Sequence, residues 1–300
     1  MGSSYCLRNF KLIKTNCHRS MSQNSDINST GKIAYLGPEG TYSQLAALAF
    51  FGGDAELVNC ASIDDVFAAV ENKQVVYGVV PVENSTEGAI NNTQDCLIDS
   101  SAKIVGEQIV SIEHSLLVLE NTSKSDIKKI VAHKQSLAQC RGYLATNFPK
   151  AEQVECPSNA EAAIRARANF GTAAIASELA GQLYNLQSLD RRIQDMPNNR
   201  TRFLVLALAD TVVTGSDKTS ILVYTQNKPG ALFRVLEPFE NFQLSLTKIE
   251  TRPSKKEAWE YVFFIDFEGH VLDETTKKLF ATLRQGGVEV KVLGSYPLSK

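Results

Sequence analysis

Two stretches about ninety-five residues apart carry the same pattern, and this repetition restricts the fold more than any other feature of the chain. In the first, Ser62 with Asp65 three residues on opens a helix, and an apolar run, Val75 to Val82, stops at Glu83-Asn84-Ser85-Thr86-Glu87-Gly88. In the second, Ser158 with Glu161 opens a helix, and the run Gly171 to Ala176 stops at Ser177-Glu178. A hydroxyl followed three residues later by an acid is a capping box. A short unbroken apolar run after a helix reads as a strand buried on both faces of a parallel sheet. The spacing is too long for a solenoid and suits two similar α/β lobes. Open sheets of this kind bind ligands beyond the carboxyl ends of their strands. Asn84, Ser85 and Thr86 are therefore expected to face Ser177 across a cleft.

The segments between the repeats fit that plan. Lys32 to Leu36 reads as a strand, Gly37-Pro38-Glu39-Gly40 as a turn and Thr41 to Phe51 as a helix capped by Thr41. The free N–H groups at that helix start, beside Thr41 and Ser43, suit an anion, or form a plain strand–turn–helix corner. Glu56 to Cys60 is a second strand. Ile104 to Val110 and Ser115 to Leu119 are strands marking the crossing to the second lobe. Ile130 to Ala132 is a short strand, and His133 to Ser136 lead into a helix from Leu137 to Asn147. The turn Pro197-Asn198-Asn199 precedes Arg200-Thr201-Arg202 and the apolar run Phe203 to Leu208, the expected return strand. That topology puts Thr201, a hydroxyl between two guanidiniums, near the cleft floor.

Beyond a polar linker, Asp210 to Lys218, the pattern restarts as strand, helix, two strands, helix, strand. The turn at Asn227-Lys228-Pro229-Gly230 leads into the helix Ala231 to Phe239, and Leu244 to Glu250 alternates as a strand with two different faces. The order βαββαβ implies a four-stranded antiparallel sheet with two helices on one face.

Composition excludes several classes. A formal net charge of -2 gives no electrostatic footprint for nucleic acid or an anionic membrane. No apolar run approaches the roughly twenty residues of a membrane span. The six cysteines form no CxxC pair, so neither a zinc site nor a disulfide framework is expected, and a reducing cytosol fits best. Residues 1–30 are basic and rich in Ser and Asn, without the apolar core of a secretory signal. They read as a disordered tail, with an organelle leader or a start at Met21 as alternatives.

Taken together, GPEGTYS at Gly37–Ser43, PVENSTEG at Pro81–Gly88, AHKQSLAQC at Ala132–Cys140, AAIAS at Ala173–Ser177 and NNRTRF at Asn198–Phe203 closely resemble the prephenate dehydratase catalytic domain, in order and spacing. The C-terminal unit resembles an ACT domain, through GAL at Gly230–Leu232 and ETRP at Glu250–Pro253. The family usually has Pro at Lys134 and Ser at Thr251. The resemblance runs from Lys32 to the C-terminus. It implies an α/β fold: a two-lobed, periplasmic-binding-protein-like catalytic domain at residues 31–209, with its second lobe at about 108–189. A linker at 210–218 and a ferredoxin-like ACT domain at 219–297 follow.

The resemblance also implies a reaction, prephenate to phenylpyruvate, water and carbon dioxide, without metal or organic cofactor. Arogenate, one nitrogen different, is the alternative substrate, and a non-catalytic amino-acid sensor is the reading from another class. Thr201 matches the family's catalytic Thr and takes the proton-donor role. Arg202 is expected either to hold the substrate's anion or to pair with a carboxylate such as Glu83. Phe203 is expected to pack on the ring or to support Thr201. Thr41, Ser43, Asn84, Ser85, Thr86 and Ser177 anchor polar groups, with Gln139 as a further candidate, while His114 and His133 read as structural. The ACT unit implies feedback by L-phenylalanine bound between two chains of a homodimer or homotetramer. Gly230, Ala231, Leu232, Glu250 and Thr251 would form that effector site.

Overall fold

The duplicated pattern folds into two sheets of matching topology. The computed structural model describes residues 31–225, 228–254 and 261–299, so the expectation for residues 1–30 lies outside the described residues. The first sheet has the order β2-β1-β3-β11-β5. Its strands are β1 (Lys32–Leu36), β2 (Glu56–Cys60), β3 (Tyr77–Asn84), β5 (Lys103–Ser111) and β11 (Arg200–Ala207), with the short β4 (Gly88–Ala89) paired to β3. The second sheet, in the order β10-β6-β9-β7-β8, contains β6 (Ser115–Val118), β7 (Lys129–His133), β8 (Glu152–Cys156), β9 (Thr172–Ala176) and β10 (Gln187–Asp190). In each, three parallel strands continue into two antiparallel ones. β5 stays in the first sheet through Ser111, so the crossing to the second lobe falls after Ser111 and not near residue 108.

Local chemistry sets the helix starts. Thr41 caps α1 (Tyr42–Phe51) by accepting from the Gln44 N–H. Ser62 and Asp65 form a reciprocal box at α2 (Ile63–Glu71). After α3 (Asn91–Asp99) come α4 (Lys134–Gln139) and α5 (Arg141–Asn147), which replace the single helix expected over 137–147; the chain breaks at Cys140, whose thiol is fully buried. At α6 (Asn159–Ala168) only half of the expected box forms: Ser158 accepts from the Glu161 N–H, while the Glu161 carboxylate turns to Arg165. Ser177 caps α7 (Glu178–Leu183).

The C-terminal unit comprises β12 (Asp217–Thr225), α8 (Ala231–Asn241), β13 (Leu246–Pro253), β14 (Tyr261–Glu268), α9 (Glu274–Gln285) and β15 (Glu289–Pro297), antiparallel in the order β13-β14-β12-β15. Its sheet is covered twice. Ile221, Val223, Ile265 and Phe267 pack on Val235, Phe239 and Leu279 of its own helices. From the other face Leu222, Val262, Phe264, Leu293 and Tyr296 join one continuous core with Phe67, Leu97, Ile104, Leu204 and Leu206 of the first lobe. Each large apolar side chain so buried contributes roughly 1.5–3 kcal/mol. The two backbones approach so closely at Gly294 that a Cβ there would lie 2.1 Å from the Ile104 carbonyl oxygen. Lys291 Nζ donates to the carbonyls of Leu97, Ile98 and Ser100 at 3.1, 2.8 and 2.7 Å, closing the C-terminal end of α3. No helix among the described residues is long and apolar enough to cross a membrane.

Candidate active site

The cleft is built on one cross-strand pair. Thr201 on β11 lies directly opposite Asn84 at the end of β3. The Asn84 Oδ1 accepts the backbone N–H groups of Thr86 and Glu87, both at 3.0 Å. Two obligate donors on the oxygen fix the amide, so Nδ2 is the atom facing Thr201 Oγ1 at 2.9 Å. Asn84 thus donates and Thr201 accepts. The hydrogen of the Thr201 hydroxyl remains available to a third group, although the residue is only 7% exposed.

The same logic extends the network into the second lobe. Asn84 Nδ2 also donates to Asn199 Oδ1 at 2.8 Å, and Asn199 Nδ2 donates to Gln139 Oε1 at 3.1 Å. Gln139 Nε2 reaches the Glu87 carboxylate at 3.3 Å, and Gln135 donates to that carboxylate at 3.1 Å. A carboxylate accepts only, so Gln139 turns its Oε1 toward His114 Nε2, 3.0 Å away. His114 must then carry its proton on Nε2 and present Nδ1 to the Tyr42 hydroxyl at 3.0 Å. The single Tyr42 hydroxyl hydrogen faces two acceptors, that nitrogen and the Glu113 carbonyl at 2.6 Å, and serves one of them at a time. Burial raises the Tyr42 hydroxyl well above its ordinary range, reinforced by Cys140, Glu113 and Glu178.

At the other end of the cleft the turn before α1 touches α7. Ser177 Oγ donates to the Gly40 carbonyl at 3.1 Å, and Tyr184 Oη donates to the Glu39 carbonyl at 2.8 Å. Gly40 has φ +88, and a Cβ there would lie 3.1 Å from Ala180 Cβ; only glycine lets the lobes approach this closely.

Asn84, Thr86, Gln139 and Thr201 therefore meet in one network. Ser85 is its fastener, accepting from the Arg200 N–H at 2.9 Å. Thr41 and Ser177 spend their hydroxyls on helix caps and on the Leu36 and Gly40 carbonyls, and Ser43 is buried in the first turn of α1. Of the two expectations for Arg202, the geometry selects pairing with carboxylates. Successive residues on a strand point to opposite faces, so Arg202 faces away from Thr201 and meets Asp266 at 2.8 Å, Glu107 at 3.2 Å and Glu83 at 3.4 Å. Burial works against its charge, but Asp266, Tyr296 and Glu107 outweigh it and raise the group further. Phe203 lies in the core with Ile33, Tyr35 and Val79, beneath Thr201 on the same face of β11. Sequence reasoning passed over Asn199, read as a turn former, and Glu87 and Tyr42, whose roles come only from the lobe contact; His114, read as structural, sits between Tyr42 and Gln139. Among the described residues no group of three or more His, Cys, Asp or Glu could hold a metal ion.

In the C-terminal unit Gly230 sits at the start of α8 with φ +74, followed by Ala231 and Leu232. Glu250 and Thr251 lie on β13, the edge strand, whose outer side pairs with nothing among the described residues.

His114 carries a pH signature. Burial pushes its pKa below the ordinary 6.5, and the Gln139 hydrogen bond opposes this only in part. The unfolded chain takes up that proton near 6.5 while the folded one resists. Stability is therefore complete above 6.5 and is lost as the pH falls toward the folded value. The denaturant midpoint is expected to drop between about pH 7.5 and about pH 5.5, with a shallower drop in His114→Asn. Equal slopes in the two proteins would remove His114 as the cause.

The fold and cleft define a two-lobed, ligand-enclosing α/β domain with a ferredoxin-like regulatory-type domain docked on its first lobe. Residues 33–211 match the family model described as prephenate dehydratase, and residues 219–284 match that of the ACT domain. The bifunctional chorismate mutase/prephenate dehydratase of Pseudomonas aeruginosa is 49% identical over 266 residues, covering 89% of this chain and 73% of that protein. The prephenate dehydratase of Methanocaldococcus jannaschii is 36% identical over 273 residues, covering 89% and 98%. Among solved structures, prephenate dehydratase from Arthrobacter aurescens in complex with L-Phe matches with a TM-score of 0.80 at 30% identity, covering 89% of this chain and 90% of that one. This chain belongs to the prephenate dehydratase family.

Proposed function

We propose that this protein converts prephenate to phenylpyruvate, carbon dioxide and water, under feedback control by L-phenylalanine. The observation that carries the chemistry is the direction of the Asn84–Thr201 hydrogen bond. Because Asn84 donates, the Thr201 hydroxyl can point its hydrogen at the departing ring hydroxyl. As the ring carboxylate leaves as carbon dioxide, its electron pair enters the ring and expels that hydroxyl, which takes up one proton, ultimately from solvent, and leaves as water. An aliphatic hydroxyl is a weak acid, so Thr201 serves as a strong hydrogen-bond donor or a relay. Such assistance contributes about 10²–10⁴-fold. Asn84 orients Thr201, Asn199 and Gln139 tie the lobes around the substrate, and Thr86 offers a polar anchor. Phe203 supports Thr201 from below.

The effector reading rests on Gly230–Leu232 and on Glu250 and Thr251 of the open edge strand. A second copy packing against that edge would enclose the amino acid, which supports a homodimer or homotetramer. The free thiols Cys60, Cys96, Cys140 and Cys156 support a reducing cytosol. The test is direct. Purified protein given prephenate should release phenylpyruvate, followed by its absorbance, and added L-phenylalanine should change the rate. An equal mixture of prephenate and arogenate sets the preference. No turnover of prephenate, or faster consumption of arogenate, would overturn the assignment.

A further inference from the structure

The face of the first sheet opposite the cleft carries a second cross-strand pair, one residue along from the reacting one. Arg202 lies opposite Glu83 just as Thr201 lies opposite Asn84. Across the domain seam the C-terminal sheet offers a matching pair, Lys248 on β13 opposite Asp266 on β14. The two pairs interlock: Arg202 Nη1 to Asp266 at 2.8 Å, Lys248 Nζ to Glu83 at 2.8 Å, and Arg202 Nη2 to Glu83 at 3.4 Å. The result is a chain of four charges, Asp266–Arg202–Glu83–Lys248, two from each domain, with Glu107 also on Arg202 at 3.2 Å.

Three further observations stand beside this chain of charges. The register slips between Arg202 and Phe203 on β11, and again between Leu246 and Lys248 on β13, so both sheets are irregular beside these charges. Bulges of this kind re-aim neighbouring side chains. A cavity of about 20 Å³, the size of one water, lies among Gln94, Arg202, Ser220, Lys248 and Asp266. Two buried atoms of its lining residues, Gln94 Oε1 and Arg202 Nε, have no hydrogen-bond partner among the described residues. A buried polar cluster with space and unused hydrogen-bonding groups has room for a second arrangement.

We infer that Arg202 and Glu83 are positioning residues for the reaction: held by Lys248 and Asp266, they set the register and aim of Thr201 and Asn84, and they carry the state of the C-terminal domain to the cleft. Neither touches the cleft; each acts through its chain neighbour. Lys248 is two residues from Glu250 on the same strand, so a ligand that shifts β13 at its open edge moves the partner of Glu83. The regulatory half of this inference rests on the phenylalanine reading above, and the positioning half does not.

Two variants separate the halves. Glu83→Gln keeps the shape of a half-exposed side chain and removes its charge. Without effector it is expected to lower kcat about tenfold with KM held within about twofold, since small misplacements cost chemistry more than binding. Lys248→Met is expected to bind L-phenylalanine by calorimetry, while its rate response to phenylalanine, taken relative to its own basal turnover, shrinks to within about twofold; couplings between sites typically run about 5- to 150-fold. Lys248→Arg, which can still reach Glu83, should restore the response, as a merely structural lysine would not require. A Glu83→Gln enzyme with wild-type kcat overturns the positioning role, and a Lys248→Met enzyme with the full phenylalanine response overturns the coupling route. A wild-type enzyme that ignores phenylalanine overturns the effector reading and the coupling with it, and the Glu83→Gln result still decides the positioning role.

Discussion

Thr201→Val is expected to lower turnover of prephenate by about 10²–10⁴-fold with the fold retained. Valine reproduces the shape of threonine and removes only the hydroxyl. Thr201 is buried on β11, between β3 and β5, so a β-branched replacement keeps the packing on Phe203 and Val110 neighbours. Asn84 Nδ2 loses one acceptor but keeps Asn199 Oδ1 and the Arg200 carbonyl, so the stability loss stays near the roughly 0.5–1.5 kcal/mol net worth of one hydrogen bond. Thr201→Ser, which retains the hydroxyl, should recover most of the rate. Phenylpyruvate formation measures the effect, and circular dichroism with a denaturation curve confirms the fold. A valine variant turning over near the wild-type rate would remove Thr201 from the chemistry.

The second large effect is on stability. Glu107 is the most enclosed charge at the domain seam, with its side chain 1% exposed. It accepts from Lys218 Nζ at 2.8 and 3.0 Å, from Arg202 at 3.2 Å and from the Ser299 N–H at 3.2 Å. Glu107→Leu would strand Lys218 and leave Arg202 with less compensation in an apolar surrounding. Breaking a buried pair in this way costs about 3–5 kcal/mol, because the remaining charge cannot return to water. The denaturant midpoint should shift accordingly, with Glu107→Gln falling between the variant and the wild type. A loss comparable to the ~0–1 kcal/mol of a surface pair would show that the seam opens to solvent.

How far the chain could be read without coordinates follows from the range of the forces involved. Caps and apolar runs are local, so β3, β9, α1 and the box at Ser62 were legible within a residue or two. The elements that escaped notice were polar or marginal. α3 begins with Asn91-Asn92-Thr93, and β8 and β10 are short sheet edges in which only Cys156 is buried. Neither kind of segment advertises a buried face. The break at Cys140 depends on a thiol packed in the second-lobe core, which no local rule reveals. Within the site, the alternation of β11 predicts that Arg202 faces away from Thr201. What it meets there does not follow, since Glu107 and Asp266 are 95 and 64 residues distant. Asn199 shows the converse error: an asparagine that looks like turn chemistry is the bridge between the lobes.

The continuous core beneath the C-terminal sheet has a consequence for how this molecule comes apart. Leu222, Phe264 and Leu293 are the inner wall of the first lobe as much as they belong to their own domain. Severed at the linker, the N-terminal portion would expose Leu97, Ile104, Leu204 and Leu206 to solvent as a sticky scar. First lobe and C-terminal unit therefore melt together, while the second lobe carries its own core around Ile130, Leu144 and Ile175.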